Sequence, residues 1–585
     1  MKRKSSIKRR GSARSALLLL LLTVVIGVVV GYFHEGRFFA VSAQKTPHPK
    51  SDEKVSPEAA RQIEALTKEK KSRSKAQEKI EARLLHEIKK QRGEPLAEGV
   101  MTLSTGVKVD SGGYVEVEIS ANVSDKLINT LKKAGTEIIA VFPQYHSIVA
   151  RMPIDSIEGM AARPDIIHIQ TKAEAMTNSD PRPPEPLFSA NSILGLRTEW
   201  AVSDRRMDLS ERRARVRAFL NSHMATLTGS QTAESDVTHR SGLARSLTGF
   251  NGAGITIGVL SDGVASRAAR QASGDLPPTG PGPGTLNVLA GQAGPASGDE
   301  GTAMLEIVHD VAPGATLFFA TGFSTNAQMA TNIKALRTAG CDIIIDDLTY
   351  FNETPFQDGQ LNPTNTNGGV VIQAVNDVTA GGAMYFSSAG NSGNKNDGTS
   401  GVWEGDFVDG GATSVAGTGV GRLHNFGGQN FNNLVVASTG PISLYWADPL
   451  GGSSNDYDLF RLNPTGTAVA ASSTNVQNGT QDPYEQIASN TANPRIVIVK
   501  RTAAAARFLH LNTNRGQLQI STAGTTHGHS AAVNAFSCAA SPARLPFGAP
   551  PSPVGPFPNP FGPTNVTELF SSDGPRRAIA HQARQ

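Results

Sequence analysis

Cysteine is almost missing: Cys341 and Cys538 are the only two in 585 residues. Two thiols so far apart cannot form a disulfide framework, and neither has the spacing of a zinc site. Both stand in apolar stretches and read as buried thiols. Net charge is small as well, with 55 basic against 51 acidic residues, and much of the basic excess lies in the first fifteen positions. A chain so balanced has no global field to draw in nucleic acid, and no phosphate loop or nucleic-acid motif occurs. Aromatic residues make up only 6%. Long apolar runs are missing apart from one. Glycine and proline, by contrast, are plentiful at 59 and 34, which suits loop-rich α/β and β architecture better than helical bundles. The length demands several domains.

The one apolar run is Ala16–Phe33, preceded by Lys2, Arg3, Lys4, Lys8, Arg9, Arg10 and Arg14. It is long enough to span a bilayer with the basic flank left in the cytoplasm. Val41-Ser42-Ala43 offers a small-residue cleavage site. Residues 1–44 are therefore expected to be a signal or anchor segment, placing the rest at the cell membrane or outside the cell. Residues 45–112 read as a charged helical linker. Ile80, Leu84 and Ile88 recur every four positions there, and the charge is expected to be a solvated face.

From Gly113 the pattern tightens. YVEVEIS (114–120) alternates as a half-buried strand does. SDKLINTLKKAG (124–135) carries a serine cap, one apolar face and a closing glycine. Two more strands, a short helix (154–162) and DIIHIQ (165–170) complete a β-α-β-β-α-β order over 113–172, a ferredoxin-like module. A proline-rich link (173–245) follows. GITIGVLSDG (254–263), ATLFFAT (315–321), CDIIIDDLTY (341–350) and AMYFSSAGNSG (383–393) are strands separated by helical patterns, which argues for a doubly wound parallel sheet over 246–404. Its cleft should lie outside the carboxyl ends of the strands, where Asp262, Asp347 and Asn391 fall. Helices vanish over 405–522, where short strands and polar turns mark an inserted β-sandwich. The α/β texture resumes over 523–585.

Taken in order, GITIGVLSDG, EGT…VAPGATL, CDIIIDDLTY, YFSSAGNSG, AFSCAASPA and FSSDGP resemble the subtilisin-like serine peptidases of the subtilisin/sedolisin clan. The resemblance covers about residues 250–405 and 520–577. It implies that 113–172 is a propeptide, that Asp262 is the strand-end acid of the catalytic triad, and that Asn391 is the side-chain donor of the oxyanion hole. Asp347 falls where the family has a cleft-wall serine; it either shapes substrate preference or caps a strand.

One position departs from the subtilisin pattern. Where the family has His-Gly-Thr at the start of a helix, this chain has Glu300-Gly301-Thr302. His309, nine residues on and more than two turns away, cannot replace the missing imidazole. A glutamate base resembles the sedolisins, although their helix carries an Asp four residues later where this chain has Met304. The expected site is thus a hybrid, with Glu300 as base and Asp262 as its partner, two carboxyls that would share a proton and favour acidic conditions. The alternative for Glu300 is a first-turn acid on a helix dipole.

The family's nucleophile, in a Gly-Thr-Ser motif beyond the FSSDGP stretch, has no counterpart here. Ser530, in Gly528-His529-Ser530, is the one substitute, but it precedes the strand that should come before the nucleophile. The expectation is an exported serine endopeptidase homologue, truncated before its catalytic serine and inactive in that form. Its partners would be protein or peptide substrates and, through the N-terminus, a membrane. The rival is a non-catalytic cell-envelope binding protein. No cofactor is expected. Asp456 and Asp458 have the spacing of calcium-loop oxygens or of strand alternation, and His527-x-His529 reads as a polar turn.

Overall fold

The computed structural model describes residues 54–178, 232–356, 369–414, 419–438, 440–488, 494–544 and 555–574. The apolar run at 16–33 and the basic stretch around 211–220 lie outside them. No helix among the described residues is long and apolar enough to cross a membrane.

The described residues open with helix α1, Pro57–Lys71. Ser56 caps it by accepting the Ala59 N–H at 3.2 Å, and proline occupies its first position, where a missing N–H costs nothing. Helix α2, Ala82–Gln91, follows. Neither is the solvated stalk that the charge pattern suggests. Ile63, Leu66, Leu84, Leu85 and Ile88 are buried, and so are Lys70, Arg73, Glu81, Arg83 and His86. A stripe of about one apolar residue per turn is enough for burial when the flanking charges find partners. Arg73 pairs with Glu69 at 2.7 Å and Lys70 with Asp458 at 2.8 Å. The second pair joins residues far apart in sequence, so periodicity could not reveal it.

Strands β1 (Tyr114–Ala121), β2 (Glu137–Phe142), β3 (Ser147–Pro153) and β4 (Ile166–Thr171) form an antiparallel sheet in the order β2-β3-β1-β4. Helices α3 (Asp125–Lys133) and α4 (Ile157–Ala161) cover one face, where Val115, Val117 and Ile119 meet Leu127, Leu131, Ile157 and the apolar side of α2. The chain then leaves this module as β5, Ala175–Thr177.

The central sheet has six parallel strands. They are β6 (Thr256–Ser261), β7 (Leu286–Val288), β8 (Thr316–Thr321), β9 (Ile343–Asp346), β11 (Met384–Ser388) and β12 (Ala535–Cys538), with β10 (Leu348–Tyr350) lying just beyond β9. The order is β12-β11-β9-β6-β8-β7. Helix α5 (Glu300–Val311) packs Leu305 against Val259, Leu317 and Phe319 on one face. Helices α6 (Asn326–Thr338) and α7 (Gly369–Ala380) pack Ile333, Leu336, Val371 and Val375 against Leu260 and Ile344 on the other. Burial on both faces explains why the strands read as continuous apolar runs. The chain is α/β with a parallel sheet. Cys341 is buried as expected, but Cys538 is exposed, because β12 is an edge strand of the sheet.

From Val402 to Leu518 the chain builds two antiparallel sheets. One takes Val402–Asp406, Ile442–Trp446, Tyr484–Ile487 and Phe508–Asn512; the larger includes Asn432–Val436, Tyr457–Leu462 and Arg495–Arg501. Trp446, Leu444 and Leu511 of the first share an apolar core with Tyr457, Leu459 and Ile498 of the second. The reverse face of the larger sheet, Phe431, Phe460, Val497 and Val499, is covered by α1 and the segment following α2.

Candidate active site

Strand β6 is buried to its last residue, Ser261, and delivers Asp262 to the carboxyl end of the sheet. The Asp262 carboxylate accepts backbone N–H groups, from Gly263 at 2.5 Å, Asp299 at 3.2 Å and Gly301 at 3.3 Å. Two of these sit at the start of α5, whose first N–H groups have no partner within the helix. Asp262 supplies one, and its negative charge suits that end of the helix dipole. Its role in this geometry is to hold the helix that begins with Glu300. The approach is close: a Cβ on Gly301 would stand 2.4 Å from the Phe319 ring and 2.6 Å from the Gly263 carbonyl, so only glycine fits after the glutamate.

Glu300 meets a different carboxyl from the one anticipated. Asp347, in the turn between β9 and β10, lies within hydrogen-bonding reach of the Glu300 carboxyl. Burial, and then the neighbouring Glu300, push the Asp347 carboxyl well above the usual carboxylate range, with Ser261 opposing. Its Oδ1 is buried and meets no donor among the described residues. Two acceptor-only groups can stay that close only if the pair retains a proton. The carboxyl set against Glu300 is thus that of Asp347, while the Asp262 carboxylate receives the N-terminus of the helix.

Asn391 lies in the loop after β11. Gly390, at φ +96°, turns this loop, and the FSSDG segment braces it: Ser392 N donates to Ser572 Oγ at 3.0 Å, and Ser572 N to the Gly390 carbonyl at 2.9 Å. Two blocks far apart in sequence thus meet in one loop pair. The Asn391 side-chain amide donates to the backbone carbonyl of Asn178.

Asn178 is a residue of this candidate site that sequence reading missed. β5 pairs antiparallel with β10, Thr177 opposite Leu348 and Ala175 opposite Tyr350. Asn178 N and Nδ2 both donate to the Asp347 carbonyl, at 3.0 and 2.8 Å, and Nδ2 also to Ser388 Oγ at 2.5 Å. An extended segment thus lies along β10 and places the Asn178 carbonyl on the Asn391 amide. The only signal in sequence was a short apolar stretch in what read as linker.

Below this surface lies a buried polar cluster. His529 Nδ1 contacts Glu353 Oε2 at 2.7 Å, and Nε2 contacts Asp346 Oδ1 at 3.0 Å. Burial opposes charge on the imidazole, but Glu353 and Asp346 outweigh it and hold the His529 pKa well above its usual value. Asp346 Oδ1 also accepts Ser387 Oγ at 2.9 Å, and Ser387 Oγ lies 2.8 Å from Ser530 Oγ. Ser530 is buried within this cluster, in a short 3-10 turn, Gly528–Ala531. His309 is buried in α5, where burial lowers its pKa. Asp456 and Asp458 face the Lys70 ammonium. Among the described residues, no cluster of three or more His, Cys, Asp or Glu side chains could hold a metal ion.

No protein-family model matches the chain, and no curated protein matches it in sequence. Among solved structures, it is similar to the epidermin leader peptide processing serine protease EpiP of Staphylococcus aureus (12% identity, 49% of this chain and 62% of that one, TM-score 0.25). It is also similar to the CspB protease of Clostridium perfringens (11% identity, 49% and 68%, TM-score 0.27). A third is fervidolysin of Fervidobacterium pennivorans, a keratinolytic enzyme related to subtilisin (13% identity, 49% and 41%, TM-score 0.24). The match spans under two thirds of the EpiP chain.

Proposed function

We propose that this chain is a self-inhibited homologue of the subtilisin/sedolisin-type serine endopeptidases, exported through residues 1–44. The ferredoxin-like module over 113–172 is its propeptide, and the region 405–522 is a β-sandwich inserted into the peptidase domain. The observation that carries this reading is the strand β5 on β10 with the Asn178 carbonyl on the Asn391 amide. An acyl-transfer site must hold an extended peptide by its backbone and aim a donor at the carbonyl oxygen that becomes negative. Asn178 occupies the position of the residue whose carbonyl would be attacked.

In that mechanism a hydroxyl adds to the peptide carbonyl and Glu300 takes the hydroxyl proton. Asn391 stabilises the oxyanion, and the proton then passes to the departing amine. Asp347 holds a proton against Glu300, and Asp262 fixes the start of the helix that presents it. The hydroxyl itself is unassigned, since Ser530 points into the buried cluster with Ser387.

The cleft assignment is tested by emptying it. Met176→Pro removes an N–H from β5 and breaks its pairing. That variant should bind a synthetic peptide ending in Ala-Glu-Ala-Met-Thr-Asn, read by calorimetry, while the unaltered chain should not. Asn391→Leu in the same background should weaken binding by tenfold or more. No binding by the Met176→Pro variant would overturn the reading.

A further inference from the structure

A parallel sheet is normally covered on both faces, since its apolar strands bury side chains to either side. One area of the central sheet departs from that rule. Phe386 of β11 lies opposite Ile345 of β9 and Phe536 of β12. Ile343 and Ile345 pack toward α5, so Met384, Phe386, Phe536 and Cys538 point to the α5 face by strand alternation. Phe536 is nevertheless 54% exposed and Met384 45%. The Phe386 and Phe536 rings stack there at 4.8 Å between centroids.

Helix α5 borders this area. Leu305 marks its core side, while Glu300, Met304, Ile307 and Val311 fall on a second side at three- and four-residue spacing. Glu300 meets Asp347 beyond the end of β9, so this second side looks toward β9 and β11. Ile307 is 45% exposed and Val311 37%. An apolar stripe of the helix and an apolar patch of the sheet thus form two walls of one trough, which the described residues leave open.

The chain brackets this trough. At the carboxyl end of the strands, Asn178 Nδ2 donates to Oγ of Ser388, which shares its side of β11 with Met384 and Phe386, at 2.5 Å. At the other end, Ala233 N donates to Asp310 Oδ2, in the last turn of α5, at 2.6 Å. Residues 179–231 therefore leave the fold at one end of α5 and rejoin it at the other. Their sequence holds an apolar pattern of helical spacing in Val216, Phe219, Leu220, Met224 and Leu227. As a helix, 216–227 would match the length of α5, about 18 Å, enough to line the trough.

We infer that the trough between α5 and strands β11 and β12 is the docking surface for residues 216–227. The connection from the N-terminal module to the parallel sheet is then a layer of that sheet, covering Met384, Phe386 and Phe536 as α5 covers Val259 and Leu317. The inference stands on the open face and is independent of whether the cleft hydrolyses peptides.

Cys538 reports on the trough, since it lies on the open side of β12 while Cys341 is buried. The full chain is treated with iodoacetamide, and modification of each cysteine is followed by mass spectrometry. In the unaltered chain Cys538 should react slowly, through opening of the segment. Phe219→Asp combined with Leu220→Asp should speed its modification about tenfold or more, because the covering layer then opens freely. Ser222→Asp, on the opposite side of the apolar pattern, should leave the rate unchanged. An unmodified Cys341 shows that each variant is folded. Should the double variant expose Cys341, the milder Leu220→Ala takes its place and should speed Cys538 in the same direction. Cys538 reacting as fast in the unaltered chain as in the folded variants would overturn the inference. So would equal acceleration by Ser222→Asp, or protection that grows with protein concentration, which would put a second copy of the chain in the trough.

Discussion

The Asp347 carboxyl stands against the Glu300 carboxyl, one from the turn after β9 and the other from the first residue of α5. The pair retains a proton because two carboxylates so close repel one another, and one oxygen of Asp347 meets no donor among the described residues.

That proton sets a pH dependence. The unfolded chain releases it near the ordinary aspartate value, while burial and then Glu300 keep it on Asp347 to well above that value. As pH rises from 3.8 through the raised value, the unfolded state binds fewer protons than the native one, so stability falls. Asp347→Asn keeps the shape and removes the titration. The difference in melting temperature between the unaltered chain and Asp347→Asn, followed from pH 3 to 8, should shift steadily in favour of the variant. Parallel curves would show that Asp347 is ionised throughout.

Glu118 behaves in the same sense at a second place. It is fully buried on β1, and burial pushes it up to about 7, with hydrogen bonds from Ser147 and Gln170 and the charge of Lys172 pulling the other way. Its Oε2 meets no hydrogen-bond partner among the described residues. Below pH 4.5 both states hold the proton. Between 4.5 and about 7 only the native state does, and stability falls by roughly 3 kcal/mol across that window. Glu118→Gln should abolish that part of the slope in a denaturant titration repeated at pH 5, 6, 7 and 8. An unchanged slope would place the titration elsewhere.

His529 carries a stability role. It sits between Glu353 and Asp346, both buried, and its removal strands two carboxyls in the interior. Breaking one partner out of such a cluster costs about 3–5 kcal/mol. His529→Leu should therefore lower the unfolding free energy by that order, and Glu353→Gln in the same background should recover part of it. A loss below about 1 kcal/mol would mean that the carboxyls are neutral without the imidazole.

Much of the central sheet was legible because parallel strands buried on both faces leave a plain mark. IGVL and III are uninterrupted apolar runs, and each leads to the rim where Asp262 and Asp347 stand. Glu300 was legible as the opening residue of a helix flanked by glycine. What the sequence hid was every long-range choice between equivalent partners. Asp262 and Asp347 are both strand-end acids, and only packing decides that the first caps α5 while the second faces Glu300. The charged run around Lys70 has the same composition whether solvated or buried, since its partners Asp456 and Asp458 lie nearly four hundred residues away. Asn178 escaped because its position depends on a three-residue strand pairing with β10, whose residues lie far along the chain.

The last prediction concerns the nucleophile. Ser530 is the one substitute the sequence offers, out of the family's order, and three facts of its surroundings argue against it. It is buried, its Oγ lies 2.8 Å from Ser387 Oγ, and Ser387 in turn donates to Asp346 rather than to Glu300. An acyl-transfer serine needs a base within reach to take its proton and an open path to the carbonyl it attacks. The carbonyl in the cleft is that of Asn178, on the Asn391 amide, in a layer above the buried cluster. A fluorophosphonate probe should accordingly leave Ser530 unmodified from pH 4 to 8. Ser530→Ala should cost about 1 kcal/mol, the worth of one buried hydrogen bond, with no change in peptide binding by the Met176→Pro variant. Mass-spectrometric mapping of the probe to Ser530, lost in Ser530→Ala, would make that serine the nucleophile and require the buried cluster to open during turnover.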